Sequence, residues 1–176
     1  IHLLVEFFQI PKYKKSNIQN CVSDLKNHLK KFSENTFENQ LKILDQIQLK
    51  YGNLSFPLGL VHRDFKIYNI VPLKKPLIFD FEEAKRYGMP LEDLLNYYIA
   101  PIINHQNSDK IIRTIVNDKK IEYFNEYLAK LKIKIPYKVF IHFHIIDRII
   151  HYYSIGDSIR YQSYYNFHLK FLEYFE

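Results

Sequence analysis

The chain has 176 residues, with apolar side chains at 47%, aromatics at 16% and a formal charge of +6. Such a chain is one domain with a sizeable core, too apolar for a disordered segment and, with 4 glycines and 7 prolines, short of material for long flexible linkers. No apolar run approaches the ~20 residues of a bilayer span and no signal peptide is visible. The single cysteine, Cys21, has no internal disulfide partner and suits a reducing compartment. The chain therefore reads as soluble and cytoplasmic.

Most of the positive charge is scattered lysine, in pairs such as Lys14-Lys15, Lys30-Lys31, Lys74-Lys75 and Lys119-Lys120. These pairs read as loop tips and solvated faces, with no basic stripe or reading helix, so nucleic acid is not expected as a partner. A positive surplus would equally draw in a nucleotide polyphosphate.

The sequence opens at Ile1 inside an apolar run, which reads as a chain cut within a larger protein. Residues 2 to 8 are expected to form a short interior strand. Pro11 and the lysines after it mark a loop. Ser16 or Asn17 is placed to cap a helix running to about Phe32, with Ile18, Val22, Leu25 and Leu29 on one face. A second helix is expected from about Asn35 or Thr36 through Tyr51, with Gly52 where a C-cap belongs.

The rhythm changes between Pro57 and Asp80. Short apolar pieces, Leu58-Gly59-Leu60-Val61, Ile70-Val71 and Leu77-Ile78-Phe79, alternate with polar clusters as in small strands joined by loops. After Pro90 the pattern is helical again, over about 91–104, 109–132, 137–155 and 158–175. Asn107 or Ser108, Pro136 and Gly156 punctuate these helices. Of the histidines on the third, only His144 and His151 share a face, and no carboxylate or cysteine set accompanies them for metal binding.

The residues that carry chemistry lie in the strand-rich middle: Val61-His62-Arg63-Asp64-Phe65-Lys66-Ile67-Tyr68-Asn69-Ile70, then Phe79-Asp80-Phe81-Glu82. Phosphoryl transfer asks for a carboxylate that orients a hydroxyl and takes its proton, and for oxygen ligands that hold magnesium on the phosphates. An Asp and an Asn five residues apart in one loop can face one cleft, and an Asp ending a nearby strand completes the metal site. Those residues are Asp64, Asn69 and Asp80.

His62-Arg63-Asp64 with Asn69, followed by Asp80-Phe81-Glu82, resembles the catalytic and metal-binding loops of the protein kinase-like superfamily. The Asp-Phe-Glu ending, and the stretch from Ala84 to Leu94 in which Asp93 opens a helix, are more similar to the aminoglycoside phosphotransferase and choline kinase family. This resemblance covers about residues 58 to 98. It implies an α+β, mostly helical fold, the C-terminal lobe of such a kinase, with a few short strands around the catalytic loop. Residues 1–10 would be strand and hinge from the junction with a smaller lobe, and 11–176 the helical lobe.

By the same resemblance Asp64 is the catalytic base while Asn69 and Asp80 hold Mg2+. Lys66 resembles the protein kinase pattern, where such a lysine supports the transferring phosphate, and small-molecule kinases often have histidine there. Backbone groups around Glu6, Phe7 and Phe8 would meet the adenine of ATP. His62 is structural, bonding backbone near Asp80, Asp93 braces the loop, and Arg63 pairs with a structural carboxylate. Glu82 is either a further carboxylate behind the metal or a surface residue. The expected function is ATP-dependent phosphorylation of a hydroxyl on a small molecule or sugar. A glycine-rich phosphate loop is absent from this sequence, which keeps open an inactive, binding-only relative. The basic, aromatic-rich character also permits a lipopolysaccharide or capsule sugar kinase working at a membrane surface. Acceptor and oligomeric state are not legible.

Overall fold

The computed structural model describes residues 2–9, 14–32, 36–74, 76–103 and 108–175. The fold is α+β and mostly helical, as expected. Its first element corrects an expectation: residues 2 to 8 are helical, as α1 (His2–Gln9), and not a strand. Leu4, Val5, Phe7 and Phe8 are buried, whereas Glu6 and Gln9 are exposed. A strand would place Glu6 on the same face as Leu4 and Phe8. A helix gathers Leu4, Val5 and Phe8 on one face and turns Glu6 outward, so its period fits the segment better.

β1 (Lys14–Asn17) leads directly into α2 (Ile18–Leu29), which is followed by α3 (Glu38–Tyr51) and β2 (Ser55–Val61). Of the two cap candidates, Asn17 serves: its side chain accepts the Asn20 N–H at 2.7 Å. The helix stops at Leu29, short of Phe32, and leaves Ile18, Val22, Leu25 and Leu29 buried. Asn35 lies outside the described residues; Phe37 occupies the N-cap of α3 without a side-chain bond. Gly52 is the C-cap, as expected, and takes a right-handed conformation.

A 3-10 turn (Ile67–Asn69) precedes β3 (Ile70–Val71) and β4 (Leu77–Ile78), which form an antiparallel ribbon. β5 (Lys85–Gly88) joins a three-stranded antiparallel sheet in the order β1-β2-β5. The two outer strands were not anticipated, because Lys14–Asn17 and Lys85–Gly88 are polar and short. They are edge strands that need only backbone pairing to β2. Two glycines of the sheet allow close approach. A Cβ at Gly59 would stand 2.2 Å from the Phe8 carbonyl oxygen, where α1 crosses β2, and one at Gly88 would stand 2.0 Å from Val61 Cγ2.

Then come α4 (Glu92–Ile103), α5 (Ser108–Ile115), α6 (Asp118–Lys130), α7 (Tyr137–Ser154) and α8 (Ser158–Phe175). The single helix expected over 109–132 is two. Asn117 breaks it, adopting an extended backbone while its side chain caps α6 through the Lys120 N–H at 3.2 Å. Asn107 lies outside the described residues. α7 is buried almost all round from Val139 to Ile149, which makes it the central helix, packed against α2, α4, α6 and α8. Among the described residues no helix is long and apolar enough to cross a membrane.

Candidate active site

The chain leaves β2 at Val61 and enters His62-Arg63-Asp64. His62 is fully buried, and its Nε2 bonds the Phe79 carbonyl at 2.7 Å. A carbonyl only accepts, so Nε2 carries the proton, and Nδ1 is left as a buried acceptor without a partner among the described residues. This bond ties the loop after β2 to the residue before Asp80.

Arg63 adopts φ 64°, a left-handed conformation that costs a residue with a Cβ on the order of 1–3 kcal/mol. The neighbouring helices hold it there. The N–H groups of His62 and Arg63 donate to the two carboxylate oxygens of Asp93, each at 2.8 Å. Its carbonyl accepts from Asn96 Nδ2, and from Arg148 Nη2 at 3.0 Å. Its own guanidinium reaches Glu92 through Nε at 2.8 Å and Asp147 through Nη2 at 2.7 Å. Asp93 and a structural carboxylate for Arg63 were foreseen; Asn96, Asp147 and Arg148 were not. The available signal was an Asp-Arg pair inside the apolar run Ile145 to Ile150, where a charged residue must find a buried partner.

The electrostatics of this knot follow from burial. Burial pushes the Asp93 carboxyl up to about 7, against the two peptide N–H groups that pull it down. For Asp147 burial acts in the same upward direction, but Arg63, with Lys85 and Arg148, holds it below its ordinary value. Burial opposes the charge of Arg148, yet Tyr164, Glu92 and Asp147 keep it protonated.

Asp64 follows at the edge of the knot, partly exposed. Asn69 Nδ2 donates to its carbonyl at 2.9 Å and to its Oδ2 at 3.1 Å, and Lys66 Nζ pairs with its Oδ1 at 2.5 Å. Pointing the amide hydrogens at Asp64 turns the Asn69 side-chain oxygen away from it. The β3–β4 ribbon pairs Ile70 with Ile78, and Phe79 N–H donates to the Asn69 carbonyl at 3.2 Å. Asp80 therefore comes just beyond Asn69 at the same end of the ribbon. It is exposed and stands at φ 67°, the second left-handed non-glycine residue of the site.

Three sequence-predicted residues, Asp64, Lys66 and Asn69, thus touch one another, and Asp80 is brought alongside. Glu82 is exposed, as one of its two readings had it. The extended hinge expected over Glu6, Phe7 and Phe8 is not present. Inside α1 their peptide N–H groups bond within the helix and are not offered to an adenine ring. Phe7 instead lies 5.7 Å from the Phe81 ring and Phe8 packs 6.3 Å from Tyr127. Among the described residues no group of three or more His, Cys, Asp or Glu is placed to hold a metal ion. The Asn69 oxygen and the Asp80 carboxylate are two oxygen donors, a set that fits magnesium, which takes one or two protein ligands and completes its shell with water and phosphate.

A cleft of about 350 Å³ opens beside Asp64 and Lys66, with walls from α4, α7 and α8. Arg148, His151 and Tyr152 line it from α7, and Arg160 and Tyr164 from α8. Comparison of the chain with protein-family models, curated proteins and solved structures finds no match.

Proposed function

We propose that this chain is the helical lobe of a phosphotransferase of the aminoglycoside phosphotransferase and choline kinase kind, passing the γ-phosphate of ATP to a hydroxyl of a small molecule or sugar. The observation that carries the reading is the Asp64 carboxylate, bonded on one oxygen by Asn69 and on the other by Lys66, at the edge of a cleft large enough for an acceptor. Asp64 would orient the acceptor hydroxyl and take its proton. Lys66 would move from Asp64 toward the incoming phosphate, leaving that oxygen free to act as base. Magnesium held by Asn69 and Asp80 would supply charge neutralisation on the phosphates. The knot around Arg63 supports the reading physically, since a loop fixed by five polar side chains holds the Asp64 carboxylate without reorganisation.

The test is the thermal shift of the protein with ATP and magnesium, beside Asp80→Ala. A rise in Tm that needs magnesium and disappears in the variant supports the reading. No rise at millimolar nucleotide favours the second reading, a module that keeps this loop without turnover. That alternative draws on one observation, the helical conformation of Glu6 to Phe8.

A further inference from the structure

We infer that the acceptor is a hydroxyl compound carrying its own anionic group, a carboxylate or a phosphate, bound by Arg148 and Arg160 in the cleft that Asp64 borders. The inference rests on the phosphotransferase reading and names its acceptor class. The charged residues lining the cleft are Arg63, Lys66, Arg148 and Arg160 against Asp64 and Glu83. Arg63 is committed to Glu92 and Asp147, and Lys66 to Asp64. What remains to meet a ligand is two guanidinium groups and the exposed carboxylate of Glu83.

Arg148 is the buried member, 5% exposed. Its Nη2 bonds the Arg63 carbonyl, and the nearest carboxylate oxygen, on Glu92, is 3.8 Å away and already bonded to Arg63 at 2.8 Å. Its Nε is buried and has no partner among the described residues, so a ligand would meet the part of the guanidinium that lines the cleft. A guanidinium presents five N–H donors in a rigid fork suited to the paired oxygens of carboxylate or phosphate, and here the fork is under-used. Arg160 stands on the opposite helix at the rim. Its side chain, 48% exposed, contacts Asp157 at 3.6 Å and lies over the Tyr152 ring.

Between the two arginines runs an aromatic wall, Tyr152 stacked on Tyr164 with centroids 5.5 Å apart. The Arg160 guanidinium lies 5.5 Å from the Tyr152 centroid. That contact bears on the acceptor. A quaternary ammonium or amino sugar would need this aromatic face or a set of carboxylates. The face is taken by an arginine, and Glu83 is the one carboxylate apart from the paired Asp64. An acceptor with its anionic group between the two arginines fits the cleft without needing the tyrosine face.

The experiment is equilibrium binding to the intact protein without nucleotide, using glucuronate, glucose 6-phosphate, glucose and glucosamine as probes, repeated with Arg160→Gln and Arg148→Lys. Circular dichroism checks that each variant is folded. The expected result is binding of glucuronate or glucose 6-phosphate at least tenfold tighter than glucose or glucosamine, weakened at least tenfold by Arg160→Gln. The stronger of the two anions says whether carboxylate or phosphate is the preferred group. Equal or tighter binding of glucose or glucosamine, no binding of either anion, or no effect of Arg160→Gln would overturn the inference. Because no nucleotide is present, failure of phosphoryl transfer leaves the result standing. Failure here likewise leaves the ATP and magnesium shift intact.

Discussion

Arg148 Nη2 donates to the carbonyl oxygen of Arg63 at 3.0 Å, joining residues 85 positions apart in the chain. Through this bond the central helix α7 braces the loop that carries Asp64. The same loop is gripped from α4 by Glu92, Asp93 and Asn96. The left-handed backbone at Arg63 persists because both its peptide groups and its side chain are held at once.

Arg63→Met tests that knot. The substitution removes the cation bonded to both Glu92 and Asp147 and leaves Arg148, 3.8 Å from Glu92, as the remaining positive group. Breaking a buried pair by removing one partner costs about 3–5 kcal/mol. Urea denaturation should show the loss, and adding Glu92→Gln with Asp147→Asn should recover part of it. A loss under about 1 kcal/mol would mean the pair is solvated and the knot is not structural.

Asp64→Asn keeps the side-chain shape and removes the proposed base. Phosphoryl transfer should fall by about 10²–10⁴ while nucleotide binding is retained, because general base catalysis is typically of that size. Steady-state transfer from labelled ATP, beside nucleotide titration, separates the two. Full activity in this variant would remove Asp64 from the mechanism.

Stability should fall on acidification through the core histidines. His142 and His168 bond each other at 3.1 Å, with Gln40 at 3.1 Å beyond. Burial, with Lys138 adding repulsion, lowers His142 to about 4, and burial with His142 takes His168 well below its ordinary value. The unfolded chain takes up these protons near pH 6.5, so between about 6.5 and 4 it binds more protons than the fold. The contribution is complete above 6.5 and is lost as pH falls, at about 1.4 kcal/mol per pH unit for each ring. Asp93, raised by burial to about 7, acts with the opposite sign over about pH 4 to 7. The measurement is therefore the difference between parent and His142→Phe across pH 7.5, 6 and 5. The variant places an apolar ring beside Phe171 and should flatten the slope; an unchanged slope would count against a neutral His142.

Gly59→Ala probes the seat of α1. The added methyl would meet the Phe8 carbonyl oxygen, a backbone atom that cannot step aside without moving the helix. The expected loss is about 1–3 kcal/mol, the usual range for overpacking, read from the denaturation midpoint. A neutral result would mean that α1 does not press on β2 at that point.

The ordered set His62-Arg63-Asp64, Asn69 and Asp80 was legible because its geometry is local. A loop of five residues places Asn69 against Asp64, and a two-residue ribbon returns the chain so that Asp80 follows. Helical periodicity likewise placed α2, α3, α7 and α8 to within a few residues, since each buries a stripe that repeats in the sequence. Asn17 was one of the two cap candidates the sequence offered, whereas the bond of His62 to backbone near Asp80 was an expectation of the family resemblance.

Other features depend on where distant elements cross. A mostly apolar segment as short as His2–Gln9 is readily taken for a strand, and its docking on Gly59 with Glu6 turned outward goes with the helix of α1. Lys14–Asn17 and Lys85–Gly88 carry no apolar alternation, and become strands because β2 offers them backbone partners. Asp147 and Arg148 sit in an apolar helix with no local sign of what they bind. The packing of α7 beside α4 brings them to Arg63 and, with α8, shapes the cleft that sets Arg148 and Arg160 near Asp64. Sequence determined which polar side chains one short loop carries, and tertiary structure decided what holds that loop and which charges face it. Side-chain spacing reports neighbours within a turn or two, whereas a buried ion pair is settled by the register of whole helices.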